Sequence, residues 1–397
     1  MKQMQEAYIV AAVRTPVAKR NGLFRNTRPD DLLAHALRAL FQRVPDVDPA
    51  AVGDVIVGCA MPEAEQGMNV ARIASLLAGL PQSVPAYTIN RFCSSGLQAV
   101  ADAAMRIRLG EADVMIGAGT ESMSAMTQMM GNKPSPNPAM FDHAEHLSIA
   151  YGMGLTAEKV AQRWNVSRED QDAFAQTSHE RASAARAAGR FAAEIAPFTT
   201  VAHMPGADGA VRVVERDVRE DEGPRPDSSL AGLAKLRPVF AAKGSVTAGN
   251  SSQMSDGAAA VLLMSEAGLK RFGVTPIARL ASYSVAGVPP EIMGIGPIEA
   301  VPRALAQAGW QQADLDWIEL NEAFAAQALA VIRELHLDPA RVNPLGGAIA
   351  LGHPLGATGA IRVATLMSAM QRGEVSKGLV TMCIGTGMGA AGTFEKV

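Results

Sequence analysis

Residues 95–117 read SGLQAVADAAMRIRLGEADVMIG, and this stretch decides the fold because the chain repeats it. Its first part has the apolar spacing of a helix, and residues 114–117 have the apolar character of a buried strand. Residues 358–380, TGAIRVATLMSAMQRGEVSKGLV, follow the same order. Three pairs share one offset, as in 359 − 96 = 263: Gly96 with Gly359, Gly110 with Gly373 and Glu111 with Glu374. Two copies of one helix–strand unit indicate a duplicated fold.

A second repeated strand lies upstream of each copy. Residues 54–57 (DVIV) and residues 316–319 (DWIE) are related by an offset of 316 − 54 = 262. Short apolar strands that alternate with amphipathic helices favour an α/β architecture in which helices cover both faces of the sheets. We therefore expect two similar halves, each built from strands and helices in the same order.

Residues 121–246 have no counterpart in the repeat and differ in composition. Proline-rich stretches such as GNKPSPNP (131–138) are typical of loops. A helix is predicted over residues 167–188, where Ser167 and Asp170 have the spacing of a capping box. Residues 257–264 (GAAAVLLM) read as a buried strand or helix that rejoins the first half. The predicted units are a first half (1–120, completed by 247–274), an inserted loop domain (121–246) and a second half (275–397).

Composition narrows the class of protein. The 397 residues carry 36 Lys and Arg against 39 Asp and Glu, a net charge of −3 that lacks the basic excess of a nucleic-acid-binding protein. Hydrophobic residues make up 48% and charged residues 19%, which favours a large globular core. We find no apolar run of the roughly 18 residues that a membrane span needs, and no signal-peptide block at the start. Three cysteines (Cys59, Cys93, Cys383) cannot all pair, so we expect a reducing, cytoplasmic setting.

Cys93 is the first candidate for chemistry. It precedes the helix that begins near Ser95, and free N–H groups at a helix start lower the pKa of a thiol. The alternative is that Cys93 is a small buried apolar residue, and sequence alone leaves the two readings at even odds.

His353 occupies a similar place in the second half. It lies five residues before Thr358 inside VNPLGGAIALGHPLGATGA (342–360), where glycines let the backbone bend and approach a ligand closely. A duplicated fold would bring the two helix starts together. An isolated histidine is more often a surface or packed residue, but this position and its glycines favour a functional one.

Other candidates surround the ends of predicted strands. Cys383 precedes a glycine-rich turn, IGTGMG (384–389), whose N–H groups could hold an oxyanion. Asn321 follows a predicted strand, where asparagine is most often a helix cap. Residues 117–119 (GAG) lack the third glycine of a dinucleotide-binding motif. The sequence DHAEH (142–146) lacks a third clear metal ligand, so no metal site is predicted.

Four blocks together resemble the thiolase family over essentially the whole chain: NRFCSSGLQAV (90–100), VTAGNSSQMSDGAAA (246–260), NEAFAAQ (321–327) and GGAIALGHPLGATGA (346–360). The Cys383-x-Gly385 turn completes the resemblance. It implies an α/β fold of two βαβαβαββ halves in a layered α-β-α-β-α core, with an inserted loop domain that binds coenzyme A (CoA).

The resemblance also implies catalytic roles. Cys93 would be the nucleophile that takes the acyl group, His353 would activate it, and Cys383 would be the general acid and base. One oxyanion hole would consist of His353 and a water held by Asn321. The other would consist of the N–H groups of Cys93 and Gly385. No permanent cofactor is implied, since CoA is a co-substrate.

The implied substrate contacts are seven residues that would touch the CoA nucleotide, the pantetheine arm or the acyl chain: Arg225, Ser252, Met153, Phe240, Ala323, Phe324 and Met293. One position departs from many short-chain biosynthetic members, which have a histidine where this chain has Gly152. That departure favours a degradative 3-ketoacyl-CoA thiolase of fatty-acid β-oxidation over a biosynthetic acetoacetyl-CoA thiolase. A methionine cluster at positions 123, 126, 129 and 130 reads as a buried helix face, or alternatively as an adaptable acyl surface.

Two other classes remain as rivals. A condensing enzyme of the ketosynthase type would have a histidine in place of Asn321 and would lack Cys383. A non-catalytic acyl-CoA-binding or lipid-transfer protein would not need Cys93, His353 and Cys383 together. By resemblance we expect a homodimer or homotetramer, with a β-oxidation partner subunit as a further option. No nucleic-acid partner is expected.

Overall fold

The computed structural model describes residues 4–125 and 136–397 of the chain. Its helices are α1 (Pro29–Arg43), α2 (Val70–Leu77), α3 (Ser95–Arg108), α4 (Met153–Arg163), α5 (Arg168–Ala187), α6 (Leu230–Leu233), α7 (Glu266–Phe272), α8 (Gly296–Ala308), α9 (Ala325–Glu334), α10 (Ala348–Leu351) and α11 (Leu355–Gln371). Its strands are β1 (Tyr8–Arg14), β2 (Ala18–Lys19), β3 (Asp54–Gly58), β4 (Ala86–Ile89), β5 (Val114–Ser122), β6 (Phe198–Pro205), β7 (Val211–Val218), β8 (Ser255–Met264), β9 (Ala278–Gly287), β10 (Trp317–Leu320), β11 (Lys377–Ile384) and β12 (Met388–Lys396).

The strand order repeats from one half to the other. In the first half the order is β4-β3-β5-β8-β1, with β3 parallel to β4 and β5, and with β8 antiparallel to β5 and β1. In the second half the order is β10-β11-β12-β9, with β10 parallel to β11 and the other pairs antiparallel. A parallel bridge between Ile318 and Val342 takes the place that β4 has in the first half. The duplicated fold predicted from the repeat is confirmed.

Alternating side chains place each half-sheet between two helical layers. In β5, Met115 packs inward with Leu97 of α3 and Leu366 of α11, whereas Ile116 packs outward with Leu37 of α1. The second half has its own outer core, in which β10 packs against α8 and α9. Helices α3 and α11 therefore lie side by side in the centre, and the layered α-β-α-β-α core is confirmed. Each fully buried Leu side chain stabilises such a core by roughly 1.5–3 kcal/mol.

Local predictions in the inserted segment can also be compared with the structure. The helix predicted over 167–188 is α5, where Ser167 Oγ accepts from the backbone N–H of Asp170. Residues 257–264 form a strand rather than a helix, and this strand, β8, pairs with β5 and β1. The methionines at 126, 129 and 130 lie outside the described residues, and the three-unit division of the chain stays a prediction.

Candidate active site

The turn that carries Cys93 is held by its own neighbours. It is a 3₁₀ turn (Phe92–Ser94) between β4 and α3, and Cys93 is 8% exposed. Phe92 has the left-handed φ of +44°, which places the next residue at the helix start. Asn90 Oδ1 accepts from the Phe92 N–H at 2.8 Å, and Ser95 Oγ donates to the Phe92 carbonyl at 2.7 Å. Short-range hydrogen bonds therefore fix where the thiol lies.

The Cys93 thiol does not have the lowered pKa that its place before a helix predicted, and that expectation is wrong. Burial raises the pKa of Cys93 to about 11, although backbone N–H groups of Gly385 and of Cys93 itself lower it. An ionised sulfur loses water on burial, and two N–H groups replace that water only in part. The resting group is a thiol, so it needs a base before it can act as a nucleophile.

His353 is oriented by a hydroxyl group of α11, the helix that begins two residues after it. Its backbone N–H donates to the Gln253 carbonyl at 3.0 Å, and its Nδ1 lies 2.7 Å from Thr358 Oγ1. Thr358 Oγ1 also donates its single proton to the Pro354 carbonyl at 3.0 Å. Because that proton is already used, the hydroxyl accepts from His353 Nδ1–H, and Nε2 keeps its lone pair.

The His353 imidazole is neutral, and the side-chain oxygen of the neighbouring Asn321 has no hydrogen-bond partner among the described residues. Burial lowers the pKa of His353 to about 3, and the nearby Arg362 cation contributes to the shift. Asn321 Nδ2 lies 3.3 Å from His353 Nε2, while Asn321 N–H donates to the Thr381 carbonyl at 2.9 Å. Asn321 Oδ1 is buried without a hydrogen-bond partner among the described residues. Such an atom points to a water or substrate group at that position.

The second thiol lies in the same site as the first. The turn carrying Cys93 packs against both α11 and β11, and β11 contains Cys383. Burial, together with the nearby Cys93, raises the pKa of Cys383 well above its usual range. Gly385 lies between two side chains: a Cβ there would be 3.5 Å from Met153 Sδ and 3.8 Å from the Phe92 ring. Cys93, Cys383 and Gly385 are thus brought together as predicted.

Most of the predicted substrate contacts also come together. One apolar cluster contains Cys383 and four of them: Met153, Met293, Ala323 and Phe324. The Phe240 ring meets the Phe324 ring edge to face, with centroids 6.1 Å apart. Ser252 adjoins this group through its N–H, which donates to the Ala323 carbonyl at 3.0 Å. The cluster gives Cys383 an apolar wall.

Arg225 lies apart from that wall, in a surface pocket of about 260 Å³. The Arg225 side chain is exposed, and its backbone N–H donates to His179 Nδ1 at 3.1 Å. Burial lowers the pKa of His179 to about 4, and Arg225 adds to this effect. Gln253 also lines the pocket and provides the carbonyl that holds His353, so this pocket adjoins the site.

Sequence reasoning missed several residues that order the site. The sequence patterns indicate Thr358 only as part of a helix start, and they indicate no role for Glu121 or Glu322. Arg362 and Glu319 form a buried pair 3.3 Å apart, with exposures of 2% and 1%. A charged residue inside an otherwise apolar helix or strand was the available signal for this pair, since such residues are rarely buried without a partner.

Residues 4–125 and 136–397 contain neither a cluster of metal ligands nor a membrane-spanning helix. Within these ranges we find no group of three or more His, Cys, Asp or Glu side chains placed to hold a metal ion. His146 in the DHAEH sequence contacts the Ala139 carbonyl through Nδ1. No helix in the described ranges combines the length and apolar character needed to cross a bilayer.

Thioester exchange is the chemistry that this set of groups suits best. A thiol forms and releases thioesters readily, a neutral imidazole can take its proton, and a second thiol can move another proton. The fold and the site thus define an acyltransferase.

The chain belongs to the thiolase family. The family model "Thiolase, N-terminal domain" matches residues 7–267, and "Thiolase, C-terminal domain" matches residues 274–396. The chain is 50% identical over 393 residues to the 3-ketoacyl-CoA thiolase of Bacillus subtilis (strain 168), covering 99% of this chain and 100% of that protein. It is 46% identical to the peroxisomal 3-ketoacyl-CoA thiolase B of Mus musculus, covering 98% of this chain and 91% of that protein.

A solved structure gives the same fold. The crystal structure of the Bacillus anthracis acetyl-CoA acetyltransferase superposes with a TM-score of 0.88 at 38% identity, and each chain is covered over 100% of its length.

Proposed function

We propose that this protein cleaves 3-ketoacyl-CoA with CoA, giving acetyl-CoA and an acyl-CoA shortened by two carbons, as an acetyl-CoA C-acyltransferase of fatty-acid β-oxidation. The observation that carries the proposal is the meeting of two buried thiols, Cys93 and Cys383, at the Gly385 turn. Relatives named 3-ketoacyl-CoA thiolase match the whole chain and support the same substrate class.

The first half-reaction uses both thiols. His353 Nε2 takes the proton of Cys93, and the thiolate attacks the 3-keto carbon. The bond between carbons 2 and 3 then breaks, leaving the acyl group on Cys93 as a thioester. The Cys383 thiol gives its proton to carbon 2, so acetyl-CoA leaves and Cys383 becomes a thiolate. Splitting the cleavage through a covalent intermediate replaces one difficult step by two easier ones.

The second half-reaction restores both groups. The Cys383 thiolate takes the proton of the incoming CoA thiol, and the CoA sulfur attacks the thioester carbonyl. Acyl-CoA leaves, and the Cys93 sulfur recovers a proton from the His353 imidazolium. The reverse sequence is a Claisen condensation that uses the same atoms.

Two sets of donors are placed to stabilise the oxyanions. The backbone N–H groups of Cys93 and Gly385 lie near enough to the Cys93 sulfur to lower its pKa, so they suit the oxygen of the thioester intermediate. His353 Nε2 and a water held by Asn321 would serve the other oxyanion, and the unpartnered Asn321 Oδ1 supports such a water. Removing one donor of this kind typically costs about 100- to 1,000-fold in rate.

The test follows the ultraviolet absorbance of 3-ketoacyl-CoA with and without CoA, using the full-length purified chain. We expect a CoA-dependent loss of absorbance that Cys93→Ala abolishes, with acetoacetyl-CoA and a long-chain 3-ketoacyl-CoA compared side by side. Binding of acyl-CoA without any CoA-dependent cleavage would instead support the non-catalytic alternative. Cleavage confined to acetoacetyl-CoA would support an acetyl-CoA acetyltransferase.

We also propose the setting in which this chain works. CoA enters as a co-substrate rather than a resident cofactor, and Cys93 and Cys383 must stay reduced, which favours the cytoplasm. A homodimer or homotetramer is supported by exposed apolar side chains in and beside α2: Met68, Ile73, Leu76 and Leu77. Light scattering of the purified chain, alone and with the other β-oxidation enzymes, tests self-association and a partner subunit. A monomer at every concentration would contradict the oligomer.

A further inference from the structure

Two buried carboxylates hold the segment that carries His353, one at each end. Glu121 lies at the end of β5 in the first half of the fold and is 0% exposed. Glu322 follows Asn321 in the second half and is 2% exposed. The two residues are far apart in sequence, and neither takes part in the proposed catalytic steps.

Glu121 joins the two halves of the molecule. Its Oε2 accepts from the backbone N–H of Gly356 in α11 at 2.7 Å and from that of Ala60 at 2.8 Å. Its Oε1 accepts from Gln66 Nε2 and from the Met61 N–H. Gly356 is three residues after His353, so this carboxylate fixes the helix start beyond the histidine. The helix itself has no capping side chain at Pro354.

Glu322 holds the other end of the same segment. Its Oε2 accepts from the backbone N–H of Ile349 at 3.1 Å and from Ser178 Oγ at 2.7 Å. Its Oε1 accepts from Asn343 Nδ2 at 2.9 Å. Ile349 is four residues before His353. The histidine therefore lies between two backbone N–H groups, each fixed by a carboxylate from elsewhere in the chain.

The glycines of this segment make the approach of both carboxylates possible. A Cβ at Gly356 would lie 2.9 Å from Glu121 Oε2, and a Cβ at Gly347 would overlap the Glu322 carboxyl. All the hydrogen-bond partners named for the two carboxylates are N–H or O–H donors. A proton on either carboxyl would remove an acceptor, so these donors favour the ionised form, whereas burial acts against it and raises the pKa of both carboxyls.

We propose that Glu121 and Glu322 are positioning residues that bracket His353 and hold its Nε2 towards Cys93 and Asn321. This inference rests on the proposed role of His353 as the base for Cys93. If Glu121 acted on Cys93 through its charge alone, its removal would have the opposite effect on the rate, because its negative charge raises the pKa of Cys93. Removing the charge alone would make the Cys93 thiolate easier to form, whereas releasing the histidine would slow its formation.

The test compares Glu121→Gln, Glu322→Gln and the matched control Glu194→Gln in the full-length protein. Glu194 is equally buried, but its partners are Arg14 and Thr365 rather than the His353 segment. Two rates are measured: thiolysis, and alkylation of Cys93 by iodoacetamide followed by mass spectrometry. We expect both rates to fall roughly 10- to 100-fold in the first two variants, with little change in KM for CoA, since small misplacements of reacting groups cost about that much. The control should stay within about twofold, as expected for a residue that does not touch the reacting groups.

The same substitutions in a His353→Asn background separate positioning from general disruption. If the carboxylates act through His353, their loss should have no further effect on the residual alkylation rate there. Unchanged or faster alkylation in Glu121→Gln, or an equal loss in the His353→Asn background, would overturn the proposal.

Two further readouts keep the test decisive. Should a Gln variant fail to fold, Ser178→Ala and Gln66→Ala each remove one partner of a carboxylate and should give the same pattern in weaker form; normal rates in both would also overturn the proposal. Alkylation reports on Cys93 and His353 without any thiolysis. If the variants show the expected alkylation pattern but the wild-type protein cleaves no substrate, the proposed function is refuted and the positioning role remains supported.

Discussion

The segments that carry Cys93 and His353 lie just before α3 and α11, at matching places in the two halves. They are held in different ways. The Cys93 turn depends on near neighbours, since Ser95 Oγ accepts from the Arg91 N–H at 2.8 Å and Asn90 caps the Phe92 N–H. The His353 segment depends on distant residues, with Glu121 lying 235 positions before Gly356 in the chain. The duplicated fold thus has two equivalent positions. Local contacts hold the backbone at the proposed nucleophile, whereas distant residues hold the backbone at the proposed base, whose ring alone has a local partner in Thr358.

The difference explains which parts of the site the sequence could predict. A turn held by contacts within five residues leaves its signal in one short motif, as NRFCSS does. The acceptors that hold the backbone around His353 are the Glu121 and Glu322 carboxylates and the Gln253 carbonyl. They come from three other parts of the chain, and no local pattern shows that they meet. The glycine pattern around His353 predicts room for a ligand, whereas Gly347 makes room for the Glu322 carboxyl and Gly356 for the Cys59–Ala60 backbone and Glu121.

The largest effect in this comparison is expected from His353→Asn. The substitution removes the base while leaving the Cys93 turn intact, and loss of a general base typically costs about 100- to 10,000-fold. Thiolysis kinetics at saturating substrate measure it. If His353→Asn kept more than about a tenth of the wild-type kcat, the assignment of His353 as the base would be wrong.

A smaller effect is expected from Thr358→Val, which keeps the shape but removes the partner of His353 Nδ1. Without that acceptor the imidazole can rotate or change tautomer, and loss of such an orienting contact typically costs about 10- to 100-fold. The matched control is Thr365→Val, two turns further along α11, where the buried hydroxyl contacts Glu194 and the Ile361 carbonyl. Equal kcat losses in both variants would mean that the tautomer is not set by Thr358.

The local half of the comparison predicts a modest effect for Ser95→Ala. The buried Ser95 hydroxyl accepts from the Arg91 N–H and donates to the Phe92 carbonyl, and its loss should lower the free energy of unfolding by about 1–3 kcal/mol. Urea unfolding measures the change. Ser75→Ala is the control, because among residues 4–125 and 136–397 its buried hydroxyl hydrogen-bonds only to the Ala71 carbonyl within α2. A Ser95→Ala protein as stable as wild type would show that the Cys93 turn does not depend on this local contact.

The smallest effect is expected from pH. With the pKa of His353 lowered to about 3 and that of Cys93 raised to about 11, neither group changes charge between pH 5.5 and pH 8. The base stays unprotonated as the pH falls through the range where an ordinary histidine, with a pKa of about 6.5, would gain its proton. Direct reaction of the small thiolate fraction rises with pH, so the readout is the alkylation rate of wild type minus that of His353→Asn. This His353-dependent part of the rate should be nearly flat across this interval. A drop centred near pH 6.5 would show that the imidazole is not kept neutral by burial.

Several parts of the molecule were predictable from the sequence. The repeat predicted the two duplicated α/β halves, and the motifs around Cys93, Asn321 and His353 identified the family that the family models confirm. The layered core was implied by that resemblance. The pKa of Cys93 was predicted in the wrong direction, because the pattern marks a helix start but not how deeply the sulfur is buried. The domain boundaries and the roles of the substrate-contacting residues stay predictions.

The central claim is that Cys93 carries the acyl group between the two half-reactions. Its most direct test is mass spectrometry of the protein mixed with a 3-ketoacyl-CoA in the absence of CoA. We predict an added mass equal to the shortened acyl group on the peptide containing Cys93, none on the peptides containing Cys59 or Cys383, and its removal when CoA is added. An unmodified Cys93 in a preparation that cleaves the substrate would contradict the account.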